Sequence, residues 1–377
     1  MTSKERILKA LNHEETDRVP VDLGTTNVTS INIDAYNTLI EYSGIAKENN
    51  KIEIVDRAQQ IVKPEEIMLK YLGIDTRSVW LKRPKNWEMP LREDNSYIDE
   101  WGVTRRKADG GDYFDPVVFP LREASLNDLN SYRWPNPDNS ERFKGLKEKV
   151  EMIYETNEYP IVVDPTGGIP FQNAQNLRGF DTFLIDLLIN QEFAETLMDK
   201  LLAFQIKLLK NLFNEIGSYI DVIKIADDLG AQNAPLISPE LYRSVIKPRH
   251  KDLISFIKKY TKAKVLLHTD GNVYPFMEDF IEIGVDIINP IQISAQGMDP
   301  GKLKNNFGDQ LCFWGGIDTQ KILPHGNIKE VKDEVKKMID CLAPGGGYIL
   351  CAVHNIQPDV PPENICAMYQ TVQEYGK

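Results

Sequence analysis

Short apolar runs recur along this chain, and stretches with 3.6-residue apolar periodicity separate them. The runs at residues 19–24, 74–80, 160–164, 222–226, 264–268, 285–290, 311–315 and 347–351 read as eight strands. Most are nearly continuous in apolar residues rather than alternating, as expected of strands covered on both faces. Between them, residues 183–215 read as two helices, 239–260 as one or two, and 274–283 and 328–342 as one each. Residues 2–11 read as a helix with Ser3 at its N-cap. Eight strands alternating with helices predict a closed (β/α)8 barrel of the TIM type rather than an open sheet. Residues 82–140 break the rhythm with short alternating segments and the Trp134-Pro135-Asn136-Pro137 stretch. They predict a small β-meander inserted after the second strand, within a single domain over residues 1–377.

Composition narrows the function classes. Of 377 residues, 42% are apolar and 27% charged, enough for a large core without staples. The net charge of -12 is spread along the chain, which argues against a nucleic-acid groove or an anionic lipid surface, both of which need clustered Lys and Arg. Cys312, Cys341, Cys351 and Cys366 form no C-x-x-C pair, and a reducing cytoplasm fits them. The opening residues lack an apolar signal region, and no apolar run approaches the roughly 20 residues that cross a bilayer. The expectation is a cytoplasmic protein with no membrane segment.

In such a barrel the reactive groups sit at the C-terminal ends of the strands. Of five histidines, His13 and His325 lie in polar loops, and His250 sits between Arg249 and Lys251 and reads as a surface residue. His268 and His354 stand at strand ends. His268 and Asp270 are two apart, so in extended backbone both point the same way. With His354 they make two histidines and a carboxylate around an open position, the form of a catalytic zinc site. The same three residues read equally well as hydrogen-bonding groups that shape a substrate pocket. Asp227 and Asp228 are adjacent and point to opposite faces. Asp228, in line with Lys224 and Ala226, is the one expected in the cavity, with Asp270 and His268 as its catalytic companions, and it reads equally well as an N-cap for the helical segment that follows. Asp22, Thr166, Gly167, Asn289, Gln292, Asn355 and Gln357 are the strand-end candidates for substrate binding. Asp318 reads as a helix cap, 345–347 as a glycine turn on the wrong end of its strand for phosphate, and Cys351 as a buried thiol.

Several segments together resemble the uroporphyrinogen decarboxylase superfamily. They are residues 3–11 with Asp17-Arg18-Val19-Pro20-Val21, the turn Leu267-His268-Thr269-Asp270-Gly271-Asn272, the turn Phe313-Trp314-Gly315-Gly316-Ile317-Asp318, and Gly346-Gly347-Tyr348-Ile349 through Pro361-Pro362-Glu363-Asn364-Ile365. The decarboxylase arm of that superfamily holds propionates with N-terminal arginines, whereas residues 20–27 contain no Arg. The other arm, the cobalamin-dependent methyltransferases, moves methyl groups between a small molecule and the cobalt of a corrinoid on a partner protein. Its thiol-methylating members hold zinc by H-x-C and a later Cys. The matching positions here are His268, Asp270 and His354. Replacing both thiolates by an oxygen and a nitrogen donor suits an oxygen substrate. The resemblance therefore implies a corrinoid-dependent methyltransferase with Zn2+, a corrinoid protein as partner, an aryl methyl ether as methyl donor, and a homodimer. An aryl substrate needs a hydrophobic pocket for its ring, for which the aromatic residues of the 82–140 insertion, such as Trp101 and Tyr113, are candidates. A metal-independent decarboxylase and a non-catalytic small-molecule-binding barrel are the other readings.

Overall fold

The structure is a computed structural model that describes residues 1–48, 52–82, 89–165 and 169–376. Seven parallel strands form one curled sheet in sequential order. They are β1 (Arg77–Trp80), β2 (Ile161–Asp164), β3 (Val222–Ala226), β4 (Lys264–His268), β5 (Ile287–Asn289), β6 (Cys312–Ile317) and β7 (Tyr348–Ala352). All but the last residue of β1 and the first of β4 are buried, which explains why they read as apolar runs rather than alternating ones.

The predicted first strand shrinks to a single bridge between Val21 and Leu350. The cause is local. Pro20 has no N–H, and the Val21 N–H goes to the Asp75 carboxylate at 2.9 Å rather than to a neighbouring strand. Two backbone bonds remain on the β7 side: Asp22 N–H to Leu350 O, and Leu350 N–H to Pro20 O. One remains on the β1 side, Asp75 N–H to Val21 O. This short segment still fills the eighth position and joins the two edges of the sheet.

Helix α1 (Ser3–Leu11) lies against the N-terminal end of the barrel. Its N-cap is Thr2, not Ser3: the Thr2 side chain accepts from Glu5 N–H, and Glu5 accepts from Thr2 N–H. The capping box wins because it satisfies two end groups at once. Ser3 instead donates to Asp75. Ile7, Ala10 and Leu11 join Val162, Val222, Leu266, Ile287, Trp314 and Ile349 in a separate inner cluster. That layer is the floor of the barrel, so chemistry is confined to the opposite end.

Other helices pack outside the sheet. They include α2 (Pro170–Arg178), α3 (Phe180–Ile189), α4 (Gln191–Ile216) and α5 (Lys247–Tyr260). Between β1 and β2 a three-stranded antiparallel sheet is built from Ser96–Ile98, Thr104–Lys107 and Phe114–Val118. Trp101, expected at a substrate ring, instead packs edge-on against Trp134 and Phe204 in the core beside α4. No described helix is long and apolar enough to cross a membrane.

Candidate active site

The site is assembled at the C-terminal ends of β3, β4 and β5 and just beyond β7. His268 ends β4, and its ring is 3% exposed as a residue. Its Nδ1 lies 2.6 Å from Asn289 Oδ1, at the end of β5. The Asn289 amide is fixed in turn, because its Nδ2 donates to Trp314 O. With its oxygen turned to His268, Asn289 holds the Nδ1 proton and leaves Nε2 bare. His354 repeats the device. Its Nδ1 lies 3.0 Å from Asn355 Oδ1, and Asn355 Nδ2 donates to Gln59 Oε1 and Asn27 O.

The two bare nitrogens converge on Asp270. His268 Nε2 is 3.5 Å and His354 Nε2 3.9 Å from Asp270 Oδ2. One donor atom from each of the three lies within 4.8 Å of the others. Donors around a four-coordinate ion at about 2.1 Å sit roughly 3.4 Å apart, so two imidazoles and a carboxylate at this spacing fit zinc with a position left open. Histidine nitrogens locked by second-layer amide oxygens are what a metal ligand needs.

The turn that carries Asp270 is close-packed. Gly271 has φ +82°, and a Cβ on it would stand 2.4 Å from Gly230 C. Gly230 N–H bonds to Asp270 O, and Asn272 N–H to Ala231 O. The loops after β3 and β4 therefore touch backbone to backbone, and only glycine fits between them.

Asp228 turns toward the His268 cluster, while Asp227 points away to His250. Asp228 Oδ1 lies 3.8 Å from His268 Nε2 and accepts from Asp270 N–H. Its other oxygen accepts from Gln172 Nε2. Burial, and then the nearby Asp270 charge, lift the Asp228 carboxyl to about 6. Burial would also lift Asp270, but the His268 charge and hydrogen bond outweigh it and hold Asp270 at about 2. The two imidazoles diverge. Burial favours neutral His268, yet Asp270 and Asp228 raise its pKa overall. At His354 burial prevails and lowers it.

The remaining expected residues divide by depth. Gln292 lines the open cavity, accepting from Gly271 N–H and donating to Gln232. Asn289 and Asn355 are buried behind the two histidines and orient them rather than face substrate. Gln357 donates to Tyr113 Oη. Asp22 is fully buried and is not among the residues lining the cavity, and its carboxylate takes bonds from Thr25, Thr76 and Trp314. Thr166 and Gly167 lie outside the described residues. Asp318 caps the turn after β6 through Gln320 and Lys321 N–H.

Two groups escaped the reading of the sequence. His250 is 1% exposed, and its Nε2 is 2.8 Å from Asp227 Oδ2, not at the surface. Asp227 also takes the N–H groups of Phe171 and Gln172, and so ties the start of α2 to the end of β3. Inside the barrel, Lys224 lies 1% exposed against Asp164 at 3.3 Å and Asn27 at 2.7 Å. Tyr113, from the meander, reaches the cavity and donates to Asn355 Oδ1 at 2.8 Å.

The cavity beside Asp270 and His354 measures about 350 Å³. A larger one, about 1210 Å³, is lined by Lys63, Glu66, Trp80 and Tyr159 and shares no lining residue with the cluster.

A family model described as uroporphyrinogen decarboxylase matches residues 111–375. Curated uroporphyrinogen decarboxylases resemble the chain at low identity. The protein of Legionella pneumophila strain Lens is 25% identical over 198 residues, 52% of each chain. That of Geobacter metallireducens is 22% identical over 276 residues, 71% of this chain and 75% of that one. The chain thus spans about half the length of the Legionella relatives it matches. A solved methyltransferase from Methanosarcina mazei superposes with a TM-score of 0.66 at 21% identity, over 100% of this chain and 99% of that one. At that identity the likeness shows the fold.

Proposed function

The chain belongs to the uroporphyrinogen decarboxylase family, and from that premise we propose that it is a methyltransferase rather than a decarboxylase. In this reading it moves a methyl group from a small methyl ether, favoured as an aryl ether, to the cobalt of a corrinoid on a partner protein. The observation that carries the reading is the convergence of two bare imidazole nitrogens on one carboxylate, each imidazole locked from behind by an amide oxygen. The whole-length structural likeness to a methyltransferase supports it. The decarboxylase reading needs cations for propionates, and the described residues lining the cavity include no Lys or Arg.

His268, Asp270 and His354 would hold a zinc ion. When bound, zinc supplies Lewis-acid stabilisation of the departing ether oxygen, and the corrinoid supplies the cobalt that takes the methyl group. The chain's own residues prepare that event. Asn289 and Asn355 hold the two Nδ1 protons and aim both Nε2 atoms at the Asp270 carboxylate. Asp228 places a carboxyl 3.8 Å from His268 Nε2, within reach of a group bound beside it. Tyr113 forms one wall of the cavity.

The test is metal analysis of the purified protein with methyl-transfer assays of His268→Ala and His354→Ala. Near-stoichiometric zinc, lost in both variants together with at least a hundredfold of the rate, is expected. Full transfer by metal-free protein sinks the metal role.

A further inference from the structure

We infer that the part of the ligand remote from the His268 cluster is uncharged and rich in hydrogen-bonding groups, an amide- or hydroxyl-bearing ether rather than a carboxylate or a bare hydrocarbon ring. The inference rests on the proposal above in one respect, that this cavity is the methyl donor's site.

Beyond the metal-ligating side chains, the polar walls are the Tyr113 hydroxyl, Gln232, Gln292, Ser294, Thr319, Gln320 and the acidic Asp318. Val353 and Ala231 are the only apolar aliphatic side chains among the described lining residues. A bare ring would cover the Ser294, Thr319 and Gln320 groups and the second hydrogen-bonding positions of the Gln232 and Gln292 amides without offering them partners, and unpaired polar groups disfavour binding strongly. A carboxylate fares worse. It would give up its hydration beside Asp270 and Asp318, with no Lys or Arg among the described lining residues to replace the lost water. Lys224 does not line the cavity and is already held by Asp164 and Asn27.

The neutral amides are also preset. Gln292 Oε1 takes Gly271 N–H at 2.7 Å, and its Nε2 donates to Gln232 Oε1 at 3.2 Å, so both side chains keep one orientation before a ligand arrives. Preset donors and acceptors discriminate by hydrogen bonding far more sharply than apolar walls discriminate by size. About 350 Å³ accommodates a single ring with one polar substituent.

Three probes of nearly one shape separate the possibilities: 4-methoxybenzamide, 4-methoxybenzoate and methoxybenzene. Calorimetric titration of the full chain, once zinc-loaded and once chelator-treated, should give the amide an affinity about tenfold above both others in each state. Thr319→Val should shrink the amide's advantage over methoxybenzene several-fold. Gln320→Lys should strengthen benzoate binding several-fold. Benzoate binding as tightly as the amide, methoxybenzene binding as tightly as the amide, or no binding of any probe overturns the inference. Methyl transfer to an added reduced corrinoid is measured separately. Amide preference without transfer rejects the methyltransferase reading and leaves the pocket's chemistry standing.

Discussion

Asn289 was expected to touch substrate and is found instead behind His268, where its oxygen 2.6 Å from Nδ1 decides which imidazole nitrogen is free. Outer partners of this kind are worth roughly 10–100-fold in metal affinity. Asn289→Leu should therefore weaken zinc binding by about that factor in competition with a chromophoric chelator, while circular dichroism stays that of the wild type. An unchanged affinity would mean that His268 does not ligate through Nε2. Asp228 makes a second prediction. Its folded pKa, about 6, lies above the ordinary carboxylate value of 3.8. Its contribution to stability is thus fully present below about pH 4 and lost as pH rises through 6. In metal-free protein, Asp228→Asn should gain stability relative to wild type across that window, read as a rising difference in denaturant midpoint from pH 4 to pH 7. A flat difference would place the Asp228 titration elsewhere.

At the scale of elements, the loop pair after β3 and β4 is the most constrained feature. Gly230→Ala would bring a Cβ to 2.6 Å from Asn272 N and Asp270 O, both backbone atoms. The loops must part, and Asp270 moves with them. The expected outcome is loss of zinc binding well beyond the fall in melting temperature. Retention of full metal affinity would show that the turn has slack. Strand ends such as this one were legible because β4, β3 and β7 are mostly apolar runs, broken in β3 by Lys224, that give way to His or Asp at or just past their ends. The placement of Asp228 inward followed from strand alternation with Lys224 and Ala226, and both of those are buried. Two features were not legible for a stated reason. Asp22 sits at a strand end like the others, but its burial depends on Thr76 and Trp314, 54 and 292 residues away. Residues 19–24 look like any other strand, although Pro20 and the distant Asp75 remove its ladder. One feature was legible and went unread. His250 is flanked by charges, yet it falls on the buried stripe of Ile246, Leu253, Ile254 and Ile257, at helical spacing.

For the molecule as a whole, Asp75 is the pivot. Its carboxylate is fully buried and takes Arg6 at 2.6 Å, Arg18 at 2.7 and 2.9 Å, Ser3 and Val21 N–H. It ties α1, the reduced first strand and the approach to β1 into one corner. Removing one partner of a buried pair costs about 3–5 kcal/mol, because the other charge stays behind. Asp75→Ala should lose about that much in urea denaturation, whereas Arg18→Met should lose less, since Arg6 still faces the carboxylate. Equal losses would mean the two arginines act as one unit.

The bridge from Val21 to Leu350 has a further consequence, in time rather than space. Val21 leaves the ribosome well before its partner strand, which follows more than three hundred residues later. At about 5–20 residues per second, the wait is roughly 20–60 s. Over that interval Val19, Val21 and Leu23 have no β7 to lie against, and the barrel cannot be whole until Leu350 has been made.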